Sequence, residues 1–218
     1  MWTPEVIKMI IVGIGETLYM TLFGTVLGYV IGLPWGIILE ITDRDGIKPN
    51  AAIHHVLDIV TNIMRSIPFL ILLILVMPLT LRIVGKTYGS TATIVPLVIS
   101  AAPMIARMVE SSLKEVDKGV IEAAQAMGTS TMGIIIHVML VECRISLITG
   151  ATISLGTILG YTAMAGVTGG GGLGDIAVRY GYYRYQAGIM IVTVVILVLL
   201  VQIFQIIGNI IARKLDKR

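Results

Sequence analysis

From residue 9 to residue 41 the chain carries no charged side chain other than Glu16 and Glu40. A run of that kind leaves few folds open. A helix needs about 20 apolar residues to cross the hydrocarbon core, and four further stretches also qualify, at about 56–81, 91–109, 145–167 and 187–212. Lipid offers nothing to hydrogen-bond an open strand edge, so each stretch is expected to be a helix. Only 13% of the 218 residues are charged, against about 25% in a soluble domain. The expectation is one all-α membrane domain over 9–212, with a short tail at 213–218. The first run is far longer than a signal-peptide core, which predicts a retained span. The net charge of +3 is too small and scattered to argue for nucleic acid, and the single cysteine, Cys143, excludes an intrachain disulfide framework.

Orientation follows from the basic residues. With five spans and the C-terminus inside, the inner segments hold ten Lys and Arg, namely Arg44, Lys48, Arg107, Lys114, Lys118, Arg144, Arg213, Lys214, Lys217 and Arg218. The outer ones hold five: Lys8, Arg82, Lys86, Arg179 and Arg184. The positive-inside rule therefore predicts N-out and C-in. The polar segment 110–144 is then cytoplasmic and the Gly-rich 168–186 loop faces outward.

Within the spans, Gly24, Gly28, Gly32 and Gly36 recur every four residues and predict one stripe of close helix–helix contact. Gly156 and Gly160 repeat the device in the fourth span, and Ser146, Gly150 and Ser154 form another small-residue stripe. Pro34, Pro68, Pro78, Pro96 and Pro103 are expected to bend their helices. Ionisable residues inside a span are costly unless paired or wetted. Glu16 is one; Asp58 and Arg65, seven apart, share a helix face. These are read as a structural pair or as residues reaching the interface, with a polar translocation route as the alternative. Arg107 and Glu110 fall at an inner helix end and call for no special account.

The segment 110–144 is too polar to span, yet it is patterned. Val120, Ile121, Ala124 and Met127 fall at helical spacing, with Glu122 and Gln125 on another side. Lys118 and Gly119 precede this stretch, and Gly128 follows it, where a left-handed residue ends a helix without steric cost. The pattern predicts a short amphipathic helix parallel to the membrane, suited to a groove on another protein. The Ile134–Leu140 run then leads back toward the membrane.

The residues E-A-A-Q-A-M-G at Glu122–Gly128 resemble the E-A-A, three residues, Gly signature of permease subunits of binding-protein-dependent ABC importers. The family pattern ends with a proline where this chain has Val141. The resemblance implies a coupling helix that docks in a cleft of a cytoplasmic ATPase, with Glu122, Ala123, Ala124 and Gly128 as the matching residues. R-S-I-P-F-L-I-L-L at Arg65–Leu73, G-Y-T-A-M-A-G-V-T-G-G-G-G-L-G-D at Gly160–Asp175 and Y-G-Y-Y-R-Y-Q at Tyr180–Gln186 resemble permeases of methionine-type importers. That resemblance implies a homodimer in a bacterial inner membrane, two ATPase subunits inside and a substrate-binding protein outside. The implied cargo is methionine, its D-form and related derivatives included. Import of another small solute and a passive channel are the alternatives.

Other motifs point away from enzymatic chemistry. Gly169, Gly171 and Gly174 match the dinucleotide fingerprint by letter but follow a transmembrane helix, which makes the match false. No G-x-x-x-x-G-K-[ST] is present, so ATP and Mg are expected on a partner ATPase and no cofactor or metal on this chain. His54, His55 and His137 lack metal spacing and are expected at the interface or in loops. The glycines read equally as a flexible outer loop or as a hinge near an outer gate. Met164, at the outer end of the fourth span, is a candidate gate residue, with ordinary packing as the alternative.

Overall fold

A computed structural model describes residues 2–215; Lys217 and Arg218, and with them part of the expected tail 213–218, lie outside the described residues. The chain is helical throughout its ordered elements. They are α1 (Pro4–Thr42), α2 (Ala51–Ser66), α3 (Phe69–Leu75), α4 (Met77–Val84), α5 (Ser90–Leu113), α6 (Lys118–Ala126), α7 (Thr131–Glu142, with a π-helical middle), α8 (Arg144–Ala165), α9 (Gly172–Ile176, continued by a π-turn) and α10 (Ala187–Leu215). Four helices are long and apolar enough to cross a membrane, or five crossings if the bent pair α2 and α3 counts as one.

The glycine stripe of α1 sets the packing. A Cβ at Gly32 would lie 2.7 Å from the Ala102 carbonyl and 2.8 Å from Ile105 Cβ, and one at Gly28 would lie 2.9 Å from Ile105 Cδ1. The backbones of α1 and α5 therefore touch along that face, and Met20, Leu97, Ala101, Ile105 and Ile158 close the core around it. The second small-residue stripe also packs: Ser146 bonds Ser112 at 2.9 Å, and Gly150 and Ser154 lie against Met108 of α5. Gly160, by contrast, has nothing within 4 Å. A Cβ at Gly156 would meet Val201 of α10 at 3.9 Å, so the stripe packs at one end and is open at Gly160.

The stretch 56–81 departs from a single span. The chain turns by 102° between α2 and α3. Pro68 supplies the break: it has no N–H to continue α2, and Ile67 before it is extended (φ −79°, ψ 122°). Beyond the corner Phe69 stacks on Tyr161 of α8, ring centroids 4.5 Å apart. Pro34, Pro96 and Pro103 lie inside continuous helices.

The Gly-rich segment is not a flexible loop. Gly166, Gly170, Gly172 and Gly174 are buried, and a Cβ at Gly170 would lie 2.7 Å from the Ala165 carbonyl. Gly172 has φ +76°, a conformation that a side chain disfavours. Glu16 accepts the Gly172 N–H at 2.7 Å and Thr17 accepts that of Leu173 at 2.9 Å, which seats the start of α9 on α1. Glu16 thus satisfies one backbone donor at a helix start and Thr17 the next.

Candidate coupling site

The E-A-A segment forms α6, and its boundaries have local causes. At the start, Asp117 accepts the Gly119 N–H at 2.6 Å. At the end, Gly128 adopts φ +77°, its N–H donates to the Gln125 carbonyl at 2.9 Å, and the Thr129 N–H donates to the Ala124 carbonyl at 3.1 Å. Those two bonds are the Schellman pattern, which satisfies carbonyls that a stopped helix leaves open. Ser130 then caps α7 by accepting the Gly133 N–H at 3.2 Å.

One face of α6 is held and the other is free. Ala124 is buried with Leu113, Val116, Ile135 and Met139, and Ile121 packs beside it. Glu122 and Ala123 are exposed, and so are Val120 and Met127, the latter 78%. The stripe expected from spacing thus splits: Ile121 and Ala124 face inward, while Val120 and Met127 face out. Met132 and Ile136 of α7 extend the exposed apolar surface. Only residues 114–117 separate α6 from α5, and they turn tightly, with the Lys114 N–H on the Glu110 carbonyl at 3.0 Å. A displacement of α6 must therefore pull on α5.

Beneath α6 lies a cavity of about 430 Å³ bounded by Glu40, Asp43, Asp45, Lys114, Lys118 and Glu122. Its charges are interlocked. Lys114 Nζ contacts both Asp43 Oδ2 and Glu110 Oε1 at 2.9 Å. Arg107 bonds the other Glu110 oxygen at 2.7 Å and also Asp58 of α2. Lys118 of α6 reaches Asp45 at 3.2 Å, and His54 Nδ1 lies 3.0 Å from the Leu39 carbonyl. Glu110 is the buried member, with its side chain 3% exposed. The hydrogen bond that Lys114 donates to Asp43, with the Arg44 N–H and the adjacent positive charge, holds Asp43 below the usual carboxylate range. Burial opposes the charge on Lys114, but the hydrogen bonds to Asp43 and Glu110 outweigh it and hold the ammonium above the ordinary lysine range.

Two expectations change here. Asp58 pairs with Arg107 instead of Arg65, and among the described residues Arg65 has no ion pair. Arg107 and Glu110 do need an account, since they join α2, α5 and the end of α1. The pairing spans 49 residues between Asp58 and Arg107, and no local spacing signals it. Glu122, Ala123, Ala124 and Gly128 lie together in α6 and its cap. Met164 lies elsewhere, near the far end of α8, 51% exposed. Gly169, Gly171 and Gly174 follow α8, and no strand occurs among the described residues.

Comparison with known proteins fits this arrangement. The family described as binding-protein-dependent transport system inner membrane component matches residues 32–218. The chain belongs to that family. This inner membrane component is accordingly a multi-pass protein of a bacterial inner membrane and a transport permease subunit. It is 47% identical over 203 residues to the probable D-methionine transport system permease protein MetI of Vibrio cholerae, covering 93% of this chain and 90% of that one. It is 45% identical to the methionine import system permease protein MetP of Bacillus subtilis, covering 93% and 91%. Among solved structures it is similar to a chain of the MetNI methionine ABC transporter in inward-facing conformations, with a TM-score of 0.98, 44% identity and coverage of 99% and 100%.

Proposed function

We propose that this chain is the permease subunit of an ATP-driven importer of methionine. The observation that carries the reading is the identity of 45–47% with methionine permeases across 93% of the chain. Two copies form the membrane unit, with two ATPases inside and a binding protein outside. ATP and Mg belong to the ATPases. The orientation is N-out and C-in, with about 9–212 as the membrane domain, the 213–218 tail inside and α6 facing the cytoplasm.

In this reading α6 is the coupling helix. Its outward face, with Val120, Glu122, Ala123 and Met127, sits in the ATPase cleft, and Gly128 fixes where the helix stops. ATP binding draws the ATPases together, and α6 moves with them. The route of that motion is physical: α5 follows through residues 114–117, and the Glu110–Lys114–Asp43 and Arg107–Asp58 pairs carry α1 and α2 along. A ligand shifts the resulting equilibrium only through different affinities for the two states. Met164, from both copies, closes the outer end of the route.

The test is growth. A methionine-requiring bacterium lacking its own importers is supplied with this chain, its ATPase and its binding protein. Growth on micromolar L-methionine that is lost in Ala123→Arg is the expected result. No growth on methionine, with restored growth on another amino acid in a matching auxotroph, would overturn the substrate.

A further inference from the structure

Arg65 is placed where an unpaired charge needs a reason. Two internal rulers give its depth. Arg107, which holds Asp58, lies six residues before the end of α5, or about 9 Å from the cytoplasmic end at about 1.5 Å per residue. Arg65 follows Asp58 by seven residues along α2, adding about 10 Å. The second ruler is Tyr161, which stacks on Phe69 just past the bend and lies 17 residues beyond Arg144 at the start of α8, about 25 Å up. Both put Arg65 about 20 Å from the inner end of the helices, deep in a hydrocarbon core about 30 Å thick.

The side chain is exposed on this chain, and no carboxylate pairs with it among the described residues. Nor does it stand alone on an apolar face. Asp58, Asn62, Arg65 and Ser66 form a polar stripe up α2. Asn62 Nδ2 donates to Asp58 Oδ2 at 3.1 Å, Arg107 Nη2 donates to Asn62 Oδ1 at 3.0 Å, and Ser66 Oγ donates to the Asn62 carbonyl at 2.7 Å. Asn62, Arg65 and Ser66 are all exposed. The stripe ends where the helix breaks, at Ile67 and Pro68. Charged side chains at this depth face a bundle interior or a wet cavity, and broken backbone is tolerated there for the same reason.

We infer that the Asp58–Ser66 stripe lines the translocation route and that Arg65 holds the carboxylate of the amino acid in transit. This rests on the proposed function, which supplies a zwitterionic cargo. A guanidinium presents a planar fork of donors that matches a carboxylate in two parallel hydrogen bonds, and it keeps its charge at any physiological pH. A neutral amine or alcohol cargo would leave the fork unsatisfied. The site therefore selects for a free α-carboxylate whatever the side chain attached to it.

The experiment uses the assembled complex in proteoliposomes with Arg65→Cys and a cationic, membrane-impermeant thiol reagent. The native Cys143 is buried at 5% exposure and its thiol is pushed up to about 11 by burial, so it contributes little background. Val30→Cys, on an exposed apolar face of α1 at 64%, is the lipid-facing control. Arg65→Cys should react at least about ten times faster than the control, because only a wetted thiolate reacts. In Ser66→Cys, which sits on the same exposed stripe and leaves Arg65 in place, L-methionine with ATP and loaded binding protein should slow the reaction, and L-methioninamide should not. In parallel, Arg65→Gln should cut methionine uptake by about tenfold or more while still co-purifying with the ATPase, and Arg65→Lys should retain more uptake than Arg65→Gln. Reactivity of Arg65→Cys equal to the Val30→Cys control, absence of protection by methionine in Ser66→Cys, or normal uptake by Arg65→Gln would each overturn the inference. Wild-type uptake of a different solute would contradict the substrate reading instead, and the accessibility result would still decide whether Arg65 lines a wet route.

Discussion

Asp43 and Lys114 cap the ends of α1 and α5, and their side chains meet at 2.9 Å directly beneath α6. Lys114 also binds Glu110, which is held from its other side by Arg107. Because Glu110 is buried and Lys114 is 46% exposed, the two ends of this clamp should respond differently. Glu110→Ala removes the buried carboxylate that Arg107 and Lys114 share, while each keeps a second partner in Asp58 and Asp43, and should cost about 2–3 kcal/mol. Lys114→Ala should cost at most about 1 kcal/mol. Thermal unfolding of the purified complex checks the order. In proteoliposomes, Lys114→Ala should lower methionine imported per ATP hydrolysed, and an unchanged ratio would remove the clamp from the coupling route.

The same pair gives a pH dependence. Asp43 has a lowered folded-state pKa, so its contribution is present above the ordinary carboxylate value and lost as pH falls through the depressed one. Lys114 has a raised value, so its contribution is complete below the ordinary lysine value and lost only as pH rises through the higher one. The stability difference between wild type and Asp43→Asn should therefore shrink as pH falls below about 4. Unfolding midpoints measured across that range would show it. A difference that grows as pH falls below about 4 contradicts the assignment.

Two glycines that look alike in sequence should behave oppositely. Gly32→Ala drives a Cβ against the Ala102 carbonyl and Ile105, which should cost about 1–3 kcal/mol as overpacking does. Gly160→Ala meets nothing within 4 Å in its own chain and should leave the midpoint within about 0.5 kcal/mol. Comparison of the two midpoints is the check.

The exposed face of α6 should govern assembly rather than folding. Met127→Asp changes a side chain that is 78% exposed, so the permease should remain folded while its co-purification with the ATPase drops. Ala124→Asp places a charge in the buried cluster behind α6 and should damage the permease itself. Size-exclusion profiles of permease alone and of the complex separate the two effects.

What sequence reveals here tracks the range of the interaction involved. Apolar runs and α6 are legible because hydropathy, Gly128 and helical spacing act within a few residues; the expected 120–127 helix is observed as Lys118–Ala126. The α1 stripe is legible because a four-residue repeat points at one neighbour. Pro68 announces a bend, but the 102° turn depends on where Phe69 finds Tyr161. Glycine richness suggests flexibility, whereas the 166–174 segment is fixed by Glu16 and Thr17 from far along the chain. The clamp is the least legible part. Asp43, Asp58, Arg107, Glu110 and Lys114 look like ordinary charges near helix ends until the bundle brings them together.

The most direct test of the account is ATP-dependent uptake of labelled L-methionine by proteoliposomes holding this chain with its ATPase and binding protein. The account expects accumulation that requires ATP and both partners, and that collapses when Ala123→Arg blocks the outward face of α6. Methionine flux through the permease alone without ATP, or full uptake by Ala123→Arg, would contradict it.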